Sequence, residues 1–220
     1  MKKPSIIILI GPPGSGKGTQ AKMVADKFNL KYLGSGDSLR GYSKKKNFTG
    51  KKLFEAMNKG KLVPSFIVTK ILGDGLEDLK NKKIKNGFVL DGWTRIKIES
   101  ILLDEALEWY EWDKNVKVFL IKISQKESFN RLTKRRQCVK CKRIIPWIGE
   151  FKKLKKCDKC QGKLVTRMDD NVDSIKERLS EYKKETIPAI NYYKKQNRLI
   201  EINGEQSIDN VFSDILKKIK

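Results

Sequence analysis

The residues best suited to chemistry lie near the start of the chain, in the glycine-rich stretch Gly11-Pro12-Pro13-Gly14-Ser15-Gly16-Lys17-Gly18-Thr19-Gln20. Glycines let consecutive backbone N–H groups turn inward and bind phosphate oxygens. A helical pattern follows, and the positive end of a helix favours the same anions. Lys17 adds a mobile positive charge. The pattern predicts a nucleoside triphosphate site formed by Gly14, Ser15, Gly16, Lys17, Gly18 and Thr19.

Asp91 is the second candidate for chemistry. It follows the apolar residues 88–90, where a phosphoryl-transfer fold places the acid that holds Mg²⁺ or its water ligands. The alternative is an aspartate that only caps a turn. The chain contains no histidine, so no histidine can serve as a base. Phosphoryl transfer is compatible with this, because it depends mainly on positioning and charge neutralisation.

Arginine is much less frequent than lysine in this chain, so its positions are informative. The planar guanidinium group binds phosphate with two hydrogen bonds, which an ammonium group cannot do. Each arginine alone could be an ordinary surface residue. As a set that flanks the predicted loops, they are interpreted as phosphate ligands: Arg40, Arg95, Arg131, Arg135, Arg136, Arg167 and Arg178.

Four cysteines form two pairs, Cys138 with Cys141 and Cys157 with Cys160, separated by fifteen residues. This C-x₂-C-x₁₅-C-x₂-C spacing is typical of a zinc site with four thiolate ligands. Four protein ligands leave no position for a water molecule, so the zinc would be structural and not catalytic. Redox-active cysteines are the alternative, and the spacing does not distinguish zinc from iron.

Hydrophobic patterning predicts the elements that position these residues. Short apolar runs at 5–10, 31–33, 88–91, 116–123 and 199–202 read as buried strands, and helical patterns lie between them. This alternation predicts an α/β fold with a five-stranded parallel sheet and helices on both faces. Ligands bind such sheets beyond the carboxyl ends of the strands, where the candidate residues lie.

Three details of these elements are also predicted. A helix is expected to begin near Ser38, capped by Asp37 or Ser35. Residues 171–195 are expected to form a long helix broken by Pro188. Residues 41–60 are expected to be polar, with short helical pieces such as 51–58, and residues 136–167 to form a separate unit around the cysteines.

Composition limits the class of protein. The 220 residues carry a formal net charge of +23, which favours polyanionic partners such as nucleotides or nucleic acid. No stretch reaches the roughly 18 apolar residues that cross a membrane. The N-terminal apolar run is too short for a signal peptide. We therefore expect a cytoplasmic, monomeric protein with no membrane partner.

Together these motifs resemble the adenylate kinases, nucleoside monophosphate kinases, in their long-lid form with a zinc site. The resemblance covers essentially the whole chain, and it accounts for Gly18 between Lys17 and Thr19. The motifs occur in family order at residues 11–20, 34–40, 60–64, 87–95, 133–136 and 166–170, followed by Arg178. The resemblance implies a P-loop core at 1–33, 65–135 and 168–220, a helical monophosphate-binding lobe at 34–64, and a zinc-ribbon lid at 136–167.

The resemblance also implies roles for individual residues. Arg131 and Gly204 would contact the base of ATP, Asp91 would hold Mg²⁺ through water, and Asp169 and Asp170 would brace the lid arginines. The implied catalytic residues are Lys17, Arg95, Arg135, Arg167 and Arg178, of which Arg135 also binds ATP. The implied monophosphate site consists of Ser35, Gly36, Arg40, Lys61, Val63, Gly92, Arg95, Glu99, Arg167 and Arg178.

Three departures from the family pattern bear on the substrate. Glu99 stands where the family usually has the glutamine that reads adenine, and a carboxylate would suit guanine better. Trp93-Thr94 replaces Phe-Pro and is expected to loosen the turn beside Arg95, and Ser65-Phe66 replaces an acidic pair.

The reaction that the resemblance implies is ATP plus AMP giving two ADP. The alternatives are a kinase of another monophosphate such as GMP and, remotely, a zinc-ribbon ATPase that binds nucleic acid, although no nucleic-acid partner is expected.

Overall fold

The structure is a computed structural model that describes residues 5–167 and 169–219. Residues 1–4, 168 and 220, which the domain prediction assigns to the core, lie outside the described residues. The strands in chain order are β1 (Ser5–Ile10), β2 (Lys31–Gly34), β3 (Gly87–Asp91), β4 (Val116–Lys122), β5 (Arg136–Cys138), β6 (Ile144–Ile145), β7 (Leu164–Thr166) and β8 (Leu199–Asn203). The α-helices are α1 (Lys17–Phe28), α2 (Ser35–Tyr42), α3 (Phe48–Asn58), α4 (Ser65–Asn81), α5 (Lys97–Trp109), α6 (Gln125–Lys134), α7 (Val172–Glu181), α8 (Ile187–Lys195) and α9 (Ile208–Ile219).

The main sheet has five parallel strands in the order β2-β3-β1-β4-β8. The central strand β1 is apolar along its length because both of its faces are covered. Ile6, Ile8 and Ile10 pack in one core cluster with residues of α4, α5 and α8, whereas Ile7 and Leu9 pack in a second cluster with α1 and α9. The predicted α/β fold with helices on both faces is confirmed.

The carboxyl ends of the parallel strands carry the candidate residues. β1 leads into the glycine-rich loop, where Gly14 and Gly16 adopt φ values of 81° and 94°, which side chains other than glycine rarely tolerate. β3 ends at Asp91, and β8 ends directly before Gly204. The sheet therefore gathers these loops along one edge, as its topology requires.

Residues 136–167 form a separate small unit. β5 pairs in antiparallel fashion with β6 on one side and β7 on the other. Cys138 ends β5, and Cys141 and Cys160 lie in turns. α2 and α3 fall within residues 34–64 and pack against each other. The exact limits of the lobe and the lid stay predictions.

The local structure differs from the sequence prediction in three places. α2 begins at Ser35, not near Ser38, and its first turn follows Gly34 without a side-chain cap. α3 is longer than the predicted helical pieces because the side chain of Asn47 caps it by accepting from the N–H of Gly50 at 2.8 Å. The chain stays helical past Pro188, which lies in the first turn of α8 where no N–H is needed. The irregularity lies earlier, in a π-helical segment at Tyr182–Thr186.

Candidate active site

Lys17 lies at the first position of α1, directly after the left-handed Gly16. Its Nζ donates to the carbonyl oxygens of Gly11 at 2.9 Å and Pro12 at 3.0 Å. Burial lowers the pKa of the Lys17 ammonium to about 7, and the neighbouring negative charge of Asp91 opposes this shift. A partly buried ammonium whose hydrogen bonds go to neutral carbonyls favours an anionic ligand, and phosphate oxygens would suit it.

Gly18 is explained by the position of Asp91. A Cβ added at Gly18 would lie 2.9 Å from Asp91 Oδ2, closer than a side chain is normally accommodated. The same oxygen accepts a hydrogen bond from the hydroxyl of Tyr32 at 2.9 Å. The carboxylate is thus held beside the start of α1, close to the backbone of Gly18.

A cleft opens between α2, the end of β3 and α7. Ser35 Oγ donates to the carbonyl oxygen of Gly92 at 2.7 Å, and Arg95 donates to the same carbonyl at 3.0 Å and to Ser35 Oγ at 3.2 Å. All ten residues predicted for the monophosphate line this cleft: Ser35, Gly36, Arg40, Lys61, Val63, Gly92, Arg95, Glu99, Arg167 and Arg178. Their role in binding stays a prediction.

The apolar walls of this cleft were missed from the sequence. Leu39, Met57, Leu62, Val68 and Trp93 line it beside the polar residues. Helical periodicity in α2, α3 and α4 identifies some of them as buried, but it does not distinguish a core face from the wall of a cleft.

Glu99 is buried, with 3% of its surface exposed, and both of its oxygens are engaged. Oε2 accepts from the backbone N–H groups of Arg95 at 2.8 Å and Ile96 at 3.0 Å, so the carboxylate caps the start of α5. Oε1 accepts from Ser65 Oγ at 3.2 Å. Burial raises the pKa of Glu99, and these hydrogen bonds oppose the shift. Glu99 therefore caps the start of α5 and also lines the cleft.

The buried Asp170 and the half-buried Asp169 pair with three arginines beside the lid, of which Arg167 and Arg178 line the cleft. Arg135 makes a bidentate pair with Asp170, through Nε at 2.7 Å and Nη2 at 2.6 Å, and Arg178 donates to Asp170 Oδ1 at 3.0 Å. Arg167 pairs with Asp169 at 2.6 Å. The side chain of Asp170 is fully buried. Burial lowers the pKa of Arg178 to about 10, and the charge of Arg135 adds to the effect.

A second cavity adjoins the cleft. It is lined by Gly11, Pro13 and Lys17 of the glycine-rich loop and by Ile10 at the end of β1. The two cavities share Gly60, Leu62, Gly92, Arg95 and Arg178. Arg95 and Arg178 therefore stand where two bound molecules would meet, next to the loop that is suited to phosphate.

The predicted base contacts of ATP lie close together at the end of β8. Arg131 is buried, donates to the carbonyl oxygen of Gly204 at 3.0 Å, and pairs with Glu127 at 2.6 Å.

Two other arginines of the predicted phosphate-binding set have different surroundings. Arg40 pairs with Asp37 at 2.6 Å at the rim of the cleft. Arg136 does not face phosphate as predicted, because it donates to the carbonyl oxygens of Leu154 at 2.6 Å and of Phe151 at 3.1 Å within the lid.

The four cysteine sulphurs converge in the lid. Their Sγ atoms all lie within 4.8 Å of one another, with 3.4 Å between Cys138 and Cys160 and 3.6 Å between Cys141 and Cys157. Zinc–sulphur bonds of about 2.3 Å in a tetrahedron separate the sulphurs by about 3.8 Å, so this arrangement fits a single zinc ion. A Cβ added at Gly162 would lie 2.7 Å from Cys138 Sγ, so the backbone closes tightly over the cluster.

Comparison with known proteins decides the family. The adenylate kinase family matches residues 9–198 of the chain. The chain is 39% identical over 210 residues to the adenylate kinase of Clostridium botulinum strain Loch Maree, with 95% of each chain covered. It is 38% identical to the adenylate kinase of Archaeoglobus fulgidus, over 97% of this chain and 99% of the relative. It is 40% identical to that of Methanothrix thermoacetophila, over 96% of both chains. This chain belongs to the adenylate kinase family.

Membership of the adenylate kinase family confirms the prediction of an enzyme, a nucleoside monophosphate kinase that binds nucleotides. The four clustered cysteines suit the long-lid form of this family. None of the helices among residues 5–167 and 169–219 combines the length and the apolar character that a membrane crossing needs.

The structure also shows what one departure from the adenylate kinase pattern does locally. Trp93 is 1% exposed, and its indole N–H donates to the carbonyl oxygen of Leu33 at 3.0 Å. The side chain therefore ties the turn after β3 to the end of β2. We expected Trp93-Thr94 to loosen this turn. For Trp93 this expectation is wrong, because a large buried ring with a satisfied N–H restrains the backbone.

Proposed function

We propose that this adenylate kinase family member catalyses the reversible transfer of a phosphoryl group from ATP to AMP, giving two ADP. The observation that carries the proposal is the pair of adjoining cavities. One contains Lys17 and the glycine-rich loop, the other contains the predicted monophosphate residues, and both include Arg95 and Arg178. Two nucleotides bound in this way would bring their terminal phosphates together between the arginines.

In the proposed mechanism, an oxygen of the acceptor phosphate attacks the γ-phosphorus of ATP in line with the leaving oxygen. The acceptor phosphate is already ionised near neutral pH, so no general base is needed. Lys17 and the backbone N–H groups of the loop would hold the β- and γ-phosphates. Arg95 would hold the acceptor, and the lid arginines would neutralise the charge on the transferred group.

Magnesium fits the site through Asp91. The carboxylate stands at the end of β3 beside the start of α1, and Tyr32 fixes its orientation. When bound, Mg²⁺ would offset phosphate charge. Asp91 would hold it through water ligands, since Mg²⁺ usually retains several waters in nucleotide sites.

The acceptor base depends on Glu99. In the adenylate kinase family the comparisons favour AMP, and no relative cited above is named for GMP. The carboxylate is held by Arg95, Ile96 and Ser65, so its contact with a base is secondary to its capping role. Initial rates with ATP and each of AMP, GMP, CMP and UMP test the proposal, and AMP should be the fastest acceptor. A faster rate with GMP would establish the alternative.

The Glu99→Gln variant should raise the preference for AMP over GMP by about tenfold, because an amide offers adenine a donor that a carboxylate lacks. The measurement is the ratio of kcat/KM values for the two acceptors. Glu108→Gln, an exposed change on the same helix, is the matched control and should leave the ratio unaltered. A ratio that stays within twofold in Glu99→Gln would mean that Glu99 caps α5 without reading the base.

Removing the lid metal should lower the melting temperature by about 5 °C or more, because the cluster has little other core and a few kcal/mol suffice for such a shift in a chain of this length. Elemental analysis of the untreated protein should find about one zinc ion per chain. Iron in the same analysis would identify the other metal that the spacing allows. If no metal is found and a chelator leaves the melting temperature unchanged, the four-thiolate site is refuted.

The proposal also covers the oligomeric state, the location and the roles of the two inserted units. We propose that the enzyme acts as a monomer in the cytoplasm, that residues 34–64 hold the monophosphate, and that residues 136–167 close over the bound nucleotides. Closure would exclude water from the transferred phosphoryl group and so limit hydrolysis of ATP.

A further inference from the structure

Four buried oxygen atoms of the turn that carries Arg95 and of the adjoining helices α5 and α8 are unpaired. They are Thr94 Oγ1, Ser100 Oγ, Asp104 Oδ1 and the hydroxyl of Tyr193, and none has a hydrogen-bond partner among the described residues. Thr94 is in the turn, Ser100 and Asp104 lie four residues apart on α5, and Tyr193 is on α8. Thr94, Ser100 and Tyr193 have at most 2% of their surface exposed. Buried hydroxyls are rarely left without partners, so this grouping requires an explanation.

The hydroxyls of Thr94, Ser100 and Tyr193 lie close together, and the carboxylate of Asp104 is near enough to act on Tyr193 through its charge. Burial raises the pKa of the Tyr193 hydroxyl to about 12, and the hydroxyls of Ser100 and Thr94 lower it in part, so both lie close to it. No pair among them has the geometry of a direct hydrogen bond. A single internal water typically makes about three hydrogen bonds, and the three hydroxyls and one carboxylate oxygen offer it suitable partners.

The far side of this cluster is rigidly held. Asp104 Oδ2 accepts from the hydroxyl of Tyr192 at 2.8 Å and from Arg198 at 2.8 Å. The Arg198 guanidinium lies 5.5 Å from the centre of the Tyr193 ring. Asp104 and Tyr193 are therefore fixed by contacts that do not involve the active site, and they can act as an anchor.

The turn between β3 and α5 has two internal attachments. Trp93 donates to Leu33 on the β2 side. On the α8 side, the buried Oγ1 of Thr94 lies near the buried hydroxyls of Ser100 and Tyr193. The next residue, Arg95, reaches into the cleft, where its side chain donates to Gly92 and Ser35. The direction of the Arg95 side chain depends on the backbone of this turn, and hence on both attachments.

We propose that Thr94 is a positioning residue for Arg95, and that it acts through the buried cluster with Ser100, Asp104 and Tyr193. The inference rests on the proposed function, in which Arg95 holds the phosphate of the acceptor nucleotide. The cluster fixes the turn from the side of α8, so that the guanidinium meets the acceptor phosphate in the required orientation. Thr94 also lines the second cavity, but its Oγ1 is buried away from solvent, so loss of this hydroxyl releases the turn and leaves Arg95 itself unchanged.

Thr94→Val and Tyr193→Phe each delete one hydroxyl and keep the shape of the side chain. Each should raise KM for AMP by about five- to tenfold, the equivalent of one hydrogen bond, and leave KM for ATP within about twofold. The double variant should be no worse than the more affected single variant, because both changes break the same network. Thr94→Ser, which keeps the hydroxyl, should restore KM for AMP.

Tyr110→Phe is the matched control, because that hydroxyl pairs with Glu77 at the surface, away from the turn. It should leave both KM values unchanged. The proposal is overturned if Thr94→Val leaves KM for AMP within twofold, if KM for ATP rises equally, or if the two changes multiply in the double variant. If Tyr193→Phe does not fold, Thr94→Val and Thr94→Ser decide the matter. Failure of the proposed function is distinguishable, since the unaltered enzyme would then not phosphorylate AMP.

Discussion

The Lys17→Met variant is expected to transfer phosphoryl groups at least about a thousandfold more slowly than the unaltered enzyme, while keeping its fold. Lys17 is the cation of the glycine-rich loop, and its Nζ donates hydrogen bonds to the carbonyl oxygens of Gly11 and Pro12. Those contacts hold the ammonium where the β- and γ-phosphates would bind. Methionine has a similar length but no charge, so the loss measures electrostatic stabilisation of the phosphates. The measurement is kcat with saturating ATP and AMP.

Stability supplies the second readout of the same variant. The pKa of Lys17 is about 7 in the folded protein, below its ordinary value of 10.5. The folded state then binds fewer protons than the unfolded state between these two pH values, so folding becomes more favourable as pH rises through that window. Without nucleotide, Lys17→Met should melt at a higher temperature than the unaltered enzyme below pH 7, and the difference should shrink towards pH 10.5.

Lys27→Met is the matched control for this prediction, because Lys27 is an exposed residue near the end of the same helix. It should retain normal kcat and show no comparable pH-dependent stability difference. Near-normal turnover in Lys17→Met would contradict the assignment of the loop as the triphosphate site. A lower melting temperature in Lys17→Met at pH 6 would contradict the burial of an unpaired charge.

The Asp170→Asn variant is expected to lower kcat by about a hundredfold or more and to lower the melting temperature by several degrees. The fully buried carboxylate of Asp170 holds Arg135 with two hydrogen bonds and Arg178 with a third. An asparagine keeps the shape but loses the charge, and its NH₂ group would face a guanidinium. The two arginines would then repel each other without a counter-ion and leave their positions around the transferred group.

Asp173→Asn is the matched control, since Asp173 is exposed in the first turn of α7, three residues from Asp170. We expect no change in kcat beyond about twofold and a change in melting temperature of no more than about 2 °C. Both variants lose one negative charge, but only Asp170→Asn loses a buried carboxylate that pairs with arginines. Comparing the melting temperatures and steady-state rates of the two variants therefore isolates the effect of the buried ion pairs. An Asp170→Asn enzyme with normal kcat would show that the arginine cluster is held by other contacts.

The fold was largely predictable because its strands are buried on both faces. Ile6 to Ile10, and the apolar residues of β3 and β4, form continuous hydrophobic runs that few other structures accommodate. The glycine-rich loop was predictable for a related reason, since positive φ values at Gly14 and Gly16 demand glycine. Local composition determines both features, so a single sequence reveals them.

Other features depend on contacts between distant parts of the chain and could not be predicted. Arg136 resembles the other arginines in sequence but binds carbonyls inside the lid. Glu99 could be suspected as a base contact, yet its hydrogen bonds to Arg95, Ile96 and Ser65 are visible only in three dimensions. The start of α2 was mispredicted because residues with capping side chains follow Gly34, although the structure does not use them.

If ATP and AMP are the substrates, the enzyme must also run the reaction backwards from ADP. The purified enzyme with Mg²⁺ and ADP as the only nucleotide should produce ATP and AMP in equal amounts until equilibrium is reached. A kinase specific for GMP, or an ATPase, has no route to both products from ADP alone. We expect equal formation of ATP and AMP, and ADP that stays unchanged with fully folded enzyme would refute the proposed reaction.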